Sequence, residues 1–313
     1  MTLGVDVAKN SLVTSDPQGG VRTVANEKGA VEHLLGSLQP GSTIAMEATG
    51  QYHRLLANMA FSQGFNVIVF NPKDVLHYAR SISPRAKTDR VDAKVIASYA
   101  LARPDHKPYQ PAPEIAERLK NLVRTRRSLV DSRTSLENRL RDCPEAASYL
   151  EPALDGLSAS IAELDSELAS LAGTLPEHAK MVETPGIGTL TGAYTLGLLQ
   201  SGIFPRSDSF VAFIGLDIRI RQSGKKIGKA CISKRGDPEA RRLLFLAARA
   251  AVRQPGPFQE LYLRHQSKGL SKTAATVAVA RKLARTIWAI YTKKRPYCAE
   301  RVLAQRPTID KST

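Results

Sequence analysis

Three cysteines in 313 residues leave little for a disulfide framework or a zinc site, since Cys143, Cys231 and Cys298 are odd in number and far apart. All three read as reduced thiols. Long hydrophobic runs are also missing: no unbroken apolar stretch approaches the roughly 18 residues of a membrane span. The opening MTLGVDVAKN lacks the apolar core of a secretory signal. The expectation is a cytoplasmic protein with no membrane partner. Acids are scarce beside bases, with 29 Asp and Glu against 45 Lys and Arg and a net charge of +16. Such an excess points to a polyanion, nucleic acid before membrane. What remains is ordinary for globular protein, 42% hydrophobic and 24% charged, and the length suffices for two domains with real cores.

The stretch KTDRVDAKVIASYA, residues 87–100, places Val91, Val95, Ile96 and Tyr99 at helical spacing and sets Asp89 and Asp92 on one face. Two carboxylates about 5–6 Å apart repel by roughly 3 kcal/mol at an effective dielectric near 20. A solvated acidic face at a helix N-terminus is one way to tolerate that. The other is a cation shared with further acids, and oxygen-only ligands suit Mg²⁺ or Mn²⁺. Upstream, 2–7 reads as a strand with Leu3, Val5 and Val7 on one side and Asp6 on the other. Strands over 11–15 and 21–24 complete an antiparallel meander, followed by a helix over 28–38. A strand over 42–48 ends at Glu47, a helix covers 52–63, and FNVIVF (65–70) reads as a strand buried on both faces. Helix 73–80 and a loop over 81–86 lead to the Asp89 helix. Three meander strands followed by alternating helix and strand is the order expected of an RNase H-like α/β layer. In that layer Asp6, Glu47, Asp89 and Asp92 would converge on two divalent ions.

Four prolines in residues 103–113 read as an extended linker. Beyond it Leu122, Leu129 and Leu136 recur every seven residues, and Leu154, Leu157, Ile161, Leu164, Leu168, Leu171 and Leu175 alternate three and four apart. Pro144 and Pro152 separate the two runs, which predicts an antiparallel coiled-coil hairpin. Residues 118–141 hold eight Lys and Arg, so Arg124, Arg126 and Arg127 are candidate phosphate ligands; residues 151–175 hold five acids and no base. Coiled coils also self-associate, and a homo-oligomer is expected. In VETPGIGTLTGA, Gly186 and Gly188 flank one apolar residue, as in a helix-hairpin-helix element whose backbone N–H groups face phosphate. Residues 210–251 combine an apolar FVAFIGL, a basic, glycine-punctuated IRIRQSGKKIGKACISKRGD and an amphipathic helix opening at Pro238. Arg219, Arg221, Lys225, Lys226, Lys229, Lys234 and Arg235 are its candidate nucleic-acid contacts. Ser223 and Ser233 lie among them with no histidine nearby; residue types alone read each as a phosphate-binding or structural hydroxyl, and activation of either as a nucleophile would fall to Lys234, Arg235 or a metal.

GVDVAK, AMEATGQY, NP, KTDRVDA, TPGIG, FVAFIGL, QSGKK and ISKRG occur in the order seen in the DEDD-type insertion-sequence transposases. The chain resembles that family over roughly residues 1–295; the class includes Piv/MooV-like DNA invertases and bridge-RNA-guided recombinases. The resemblance implies a RuvC-like domain over 1–103 whose acids are Asp6, Glu47, Asp89 and Asp92. After the linker, 104–113, it implies a coiled-coil hairpin over 114–176 and a mostly helical transposase domain over 177–297, with Ser233 as nucleophile. It further implies Mg²⁺, with Mn²⁺ as substitute, a covalent phosphoserine intermediate, and a structured noncoding RNA that pairs with donor and target DNA. Dimers or tetramers would share composite active sites. Only five residues precede Asp6, which departs from the family's pattern and puts the start codon in question.

The closing helix sets Val277, Ala280, Leu283, Ile287 and Tyr291 on one face with Arg281, Lys282 and Arg285 beside it. Residues 298–313 read as a frayed tail. The expected activity is metal-dependent DNA strand exchange. Its rivals are a Holliday-junction-type nuclease that uses the same acids with water as nucleophile, and a non-enzymatic nucleic-acid scaffold.

Overall fold

A computed structural model describes residues 1–16, 20–82, 89–106, 108–219, 222–223, 226–227 and 231–303, with backbone alone at 89–91, 222–223 and 226–227. The chain divides into two compact units, Met1–Pro111 and Ala112–Thr313.

The first unit is a five-stranded sheet clothed by helices on both faces. Its elements are β1 (Thr2–Val7), β2 (Ser11–Ser15), β3 (Val21–Ala25), α1 (Lys28–Gly36), β4 (Thr43–Glu47), α2 (Arg54–Ser62), β5 (Asn66–Phe70), α3 (Pro72–Ile82) and α4 (Asp89–Ala102). The sheet order is β3-β2-β1-β4-β5, with β1, β2 and β3 antiparallel and β4 and β5 parallel to β1. This is the mixed sheet expected of an RNase H-like layer. Period-two alternation divides its side chains. Leu3, Val5, Val7, Ile44, Met46 and Val67 pack with α1 and α2 in one core, and Ala45, Ile68 and Phe70 pack with α3 and α4 in the other. Burial on both faces explains why β5 is an almost continuous apolar run although it ends the sheet. The proline-rich stretch read as a linker lies along that end: the Tyr109 N–H donates to the Val67 carbonyl at 2.7 Å, and its hydroxyl to Asn58 Oδ1 at 2.7 Å.

The second unit is mostly helical, with two small β-pairs. A long helix α5 (Glu114–Asp142) turns through a 3₁₀ segment (Pro144–Ala146) into α6 (Ala147–Gly173). Pro152 was expected to separate the helices, yet it lies inside α6. It sits in the second turn, so the helix forfeits only the bond that an N–H there would have made to Ser148. Next come α7 (Pro176–Val182), α8 (Thr189–Gln200) and α9 (Ser207–Phe213), and then β6 (Ile218–Arg219), β7 (Gln222–Ser223), β8 (Lys226–Ile227) and β9 (Cys231–Ile232). The chain closes with α10 (Pro238–Ala251), α11 (Pro257–Ser267), α12 (Lys272–Lys293) and α13 (Glu300–Leu303). Helix α8, buried from Thr191 to Leu199, is the centre around which the others pack, which explains its lack of a polar face. Val302 joins this core, so the first part of the stretch read as a frayed tail is held, and residues 304–313 lie outside the described residues. Among the described residues no helix is long and apolar enough to cross a membrane.

Candidate active site

In the first unit the acids are set by strand register. Strands β1 and β4 pair in parallel from Thr2 with Thr43 to Val5 with Met46, so the next pair along the two strands is Asp6 and Glu47. Neighbouring strands stand about 4.8 Å apart, and both residues point away from the Leu3, Val5, Val7 face toward the side covered by α4. Helix α4 lies unusually close to β1. A Cβ built on Gly4 would stand 2.1 Å from the Ala93 carbonyl oxygen and 2.5 Å from the Ala97 nitrogen. A bare glycine in the strand is what lets helix and sheet backbones meet. Asp6 is two residues past Gly4 on the same face. Asp89 opens α4 one turn before Ala93, and Asp92 one turn before the fully buried Ile96. The Asp89 side chain lies outside the described residues. Among the described residues no three of His, Cys, Asp and Glu come close enough to hold a metal. Asp6 and Glu47 offer a neighbouring carboxylate pair, with Asp92 half-buried on the adjoining helix. Oxygen-only donors of this kind fit Mg²⁺ or Mn²⁺.

The second unit holds Ser233 in a tightly tied turn. The Ser233 hydroxyl donates to Asp217 Oδ1 and accepts from the Arg235 backbone N–H at 3.2 Å. The backbone is pinned as well: the Ser233 N–H donates to the Asp217 carbonyl at 2.9 Å and the Lys234 N–H to the Gly215 carbonyl at 3.1 Å. Lys234 is left-handed with φ 53°, a conformation that costs a side-chain-bearing residue of order 1 kcal/mol. Gly236 packs so closely that a Cβ would stand 2.0 Å from the Phe213 carbonyl oxygen. The Arg241 guanidinium locks both sides of the turn, donating to the Ile214 carbonyl at 3.0 Å and the Gly236 carbonyl at 2.8 Å. Ser223 belongs to a different setting. The inner pair β6/β9 adjoins Ser233, and Ser223 sits in the outer pair β7/β8, opposite Lys226.

A model described as Transposase matches residues 3–145, and one described as Transposase IS116/IS110/IS902 family matches 178–263. The chain is 30% identical over 316 residues to the Pilin gene-inverting protein of Moraxella lacunata, an alignment covering 94% of this chain and 97% of that protein. It belongs to the IS116/IS110/IS902 family of transposases. The transposase for insertion sequence element IS1111A of Coxiella burnetii is 28% identical over 341 residues, covering 94% of this chain and 90% of that one. Family membership makes the chain a DNA-processing enzyme, and the two matched regions contain the acid-bearing sheet and the Ser233 turn respectively.

Several basic residues of this transposase face its own acids. Arg126 forms a bidentate pair with Asp165 of α6, Nε to Oδ1 at 2.5 Å and Nη2 to Oδ2 at 2.8 Å, and Arg127 pairs with Asp131. The partner of Arg126 thus sits on the acidic arm of the hairpin. Arg124 donates from Nη2 to Asp237 at 3.0 Å and from Nε to the Tyr194 hydroxyl at 3.0 Å, and that hydroxyl donates to Asp237 at 2.8 Å. Burial, reinforced by Asp237, pushes the Tyr194 hydroxyl far above its ordinary range, so it stays protonated. Asp237 also caps α10 through the Ala240 N–H at 2.9 Å. Gly186, with φ 85°, lies against α10, where a Cβ would meet the Ala247 carbonyl oxygen at 2.2 Å; Gly188 precedes α8 as its N-cap. Arg219 and Lys234 are exposed and Arg235 is half-buried. Arg221, Lys225 and Lys229 lie outside the described residues, as does the Lys226 side chain.

Sequence reasoning had not singled out Gly4, Asp217 or Arg241. A signal for Asp217 existed: it and Asp237 are the only acids in residues 214–237, and they bracket the basic run.

Proposed function

We propose that this transposase excises and inserts a DNA element by metal-dependent strand exchange through a covalent Ser233–DNA ester. The observation that carries the reading is the Ser233 hydroxyl, which donates to a carboxylate and accepts a backbone N–H inside a turn strained at Lys234. The Ser233 proton passes to Asp217 as Oγ bonds to the scissile phosphorus. The bond from phosphorus to the leaving strand's oxygen breaks, and that oxygen takes a proton from water. In the second half the hydroxyl of another strand attacks the phosphoserine, its proton goes to solvent, and Ser233 Oγ recovers the proton held on Asp217. Bond energy is conserved in the ester, which separates strand exchange from cutting.

Asp6, Glu47, Asp89 and Asp92 would hold Mg²⁺ or Mn²⁺, which when bound supplies Lewis-acid polarisation of the scissile phosphate. The chain's own part is placement: the β1/β4 register and the Gly4 contact fix where those carboxylates stand. Guidance by a structured noncoding RNA, and composite sites shared between protomers, belong to the reading through the family resemblance. Lys234, next to Ser233, and Arg219, which pairs with Cys231 across β6/β9, are the exposed cations that would meet phosphate.

The test is an adduct trapped on a nicked donor DNA and resolved in a denaturing gel. It is expected with wild type and Ser223→Ala, to vanish in Ser233→Ala, and to form about 10²-fold more slowly in Asp217→Asn. DNA cleavage undiminished in Ser233→Ala would overturn the reading in favour of water as nucleophile.

A further inference from the structure

A second basic site lies in the helical unit, away from the Ser233 turn in sequence. Helices α10, α11 and α12 enclose a groove of about 360 Å³ whose lining includes Phe245, Arg249, Arg253, Tyr262, Lys272 and Thr273. No acid lines it. Three other cations of this unit are paired with carboxylates: Arg242 with Glu239, Arg285 with Asp208 and Lys294 with Glu177. Among the described residues Arg249, Arg253 and Lys272 have no such partner, and all three are exposed. Three like charges around one groove repel, so the arrangement favours whatever anion reaches all three. The two aromatic rings narrow the ligand further. Phe245 is half-exposed and does not join the hydrophobic core, and Tyr262 leans on the core while presenting surface to the groove. Phosphate alone has no use for those rings, whereas an unstacked base does.

We propose that this groove binds single-stranded nucleic acid, with successive phosphates on Arg249, Arg253 and Lys272 and a base against Phe245 or Tyr262. A duplex keeps its bases stacked and would offer the groove only phosphates. The inference does not rest on the Ser233 chemistry, and its test reads binding alone.

Fluorescence anisotropy of the full chain in EDTA, with labelled 15-nucleotide oligo-dT, oligo-rU and a 15-base-pair duplex, supplies that test. Arg249→Gln/Arg253→Gln should lose about tenfold in affinity for a single strand and flatten its log–log salt dependence by about 1.4, two phosphates at roughly 0.7 each. Phe245→Leu, which keeps an apolar side chain, should lose several-fold on single strands and nothing on the duplex. Arg264→Gln/Lys268→Gln on exposed sites outside the lining removes equal charge and should keep nearly full affinity. Whichever of oligo-dT and oligo-rU loses more identifies the strand type. Losses equal to the charge control, confined to the duplex, or absent altogether would overturn the proposal.

Discussion

Replacing Gly4 by alanine adds one methyl group at the tightest point of the acid-bearing unit. The new Cβ would stand 2.1 Å from the Ala93 carbonyl oxygen, 2.5 Å from the Ala97 nitrogen and 2.9 Å from the Ala97 Cβ. Two of these three obstacles are backbone, so no rotamer change relieves them. To restore ordinary contact α4 must withdraw roughly 1.3 Å from β1. That withdrawal loosens Val95, Ile96 and Ala100, which pack against Ala45, Ile68 and Phe70. Overpacking of this kind costs typically 1–3 kcal/mol, and with a rigid helix as the obstacle the upper end, about 3 kcal/mol, is expected. At 1.4 kcal/mol per factor of ten, amides of β1 and β4 should exchange with deuterium about 10²-fold faster in Gly4→Ala. The same shift carries Asp89 and Asp92 away from Asp6, and a 1 Å misplacement of catalytic groups costs about 10²-fold in rate. Gly29→Ala in α1 is the matched control, because its Cβ meets nothing within 4 Å and the change should stabilise by up to about 1 kcal/mol. Gly4→Ala with wild-type exchange and wild-type strand exchange would refute the packing argument.

Two further outcomes follow from the helical unit. Tyr194→Phe deprives the Arg124 Nε of its acceptor and Asp237 of a donor, so urea unfolding should show a loss of about 1.5–3 kcal/mol. His178 is held below its ordinary pKa by burial, partly offset by the hydrogen bond of its Nε2 to the Thr189 carbonyl at 3.2 Å. The unfolded chain therefore binds the proton more tightly, and stability is complete above about pH 6.5 and falls as pH drops below it, by at most about 1.4 kcal/mol per unit. His106 and His265 are lowered by burial in the same direction, so His178→Gln should reduce the pH slope measured by thermal unfolding at pH 5–7 rather than abolish it.

Where the sequence was legible, a local pattern coincided with a local cause. Alternation in Thr2–Val7 and the apolar run before Asn71-Pro72 mark strands because burial on one or two faces leaves that imprint directly. The heptad leucines predict α5 and α6 for the same reason. The neighbouring placement of Asp6 and Glu47 is less legible, since it depends on the β1/β4 register, a pairing between strands some forty residues apart. Gly4 had a reason visible only in three dimensions. The β6/β9 and β7/β8 pairs escaped notice because strands of two residues are too short to carry a period. Arg118 and Arg126 of α5 pair with Glu167 and Asp165 of α6, and Arg124 pairs with Asp237, partners that charge counting along one helix does not reveal.

Mn²⁺ binding followed by electron paramagnetic resonance tests most directly whether acids remote in sequence jointly hold a divalent cation, as proposed. Wild type should bind Mn²⁺ with an affinity lowered at least tenfold by each of Asp6→Asn, Glu47→Gln, Asp89→Asn and Asp92→Asn, while Asp16→Asn on the β2–β3 side leaves it unchanged. Mn²⁺ bound equally well by all five variants would contradict the account.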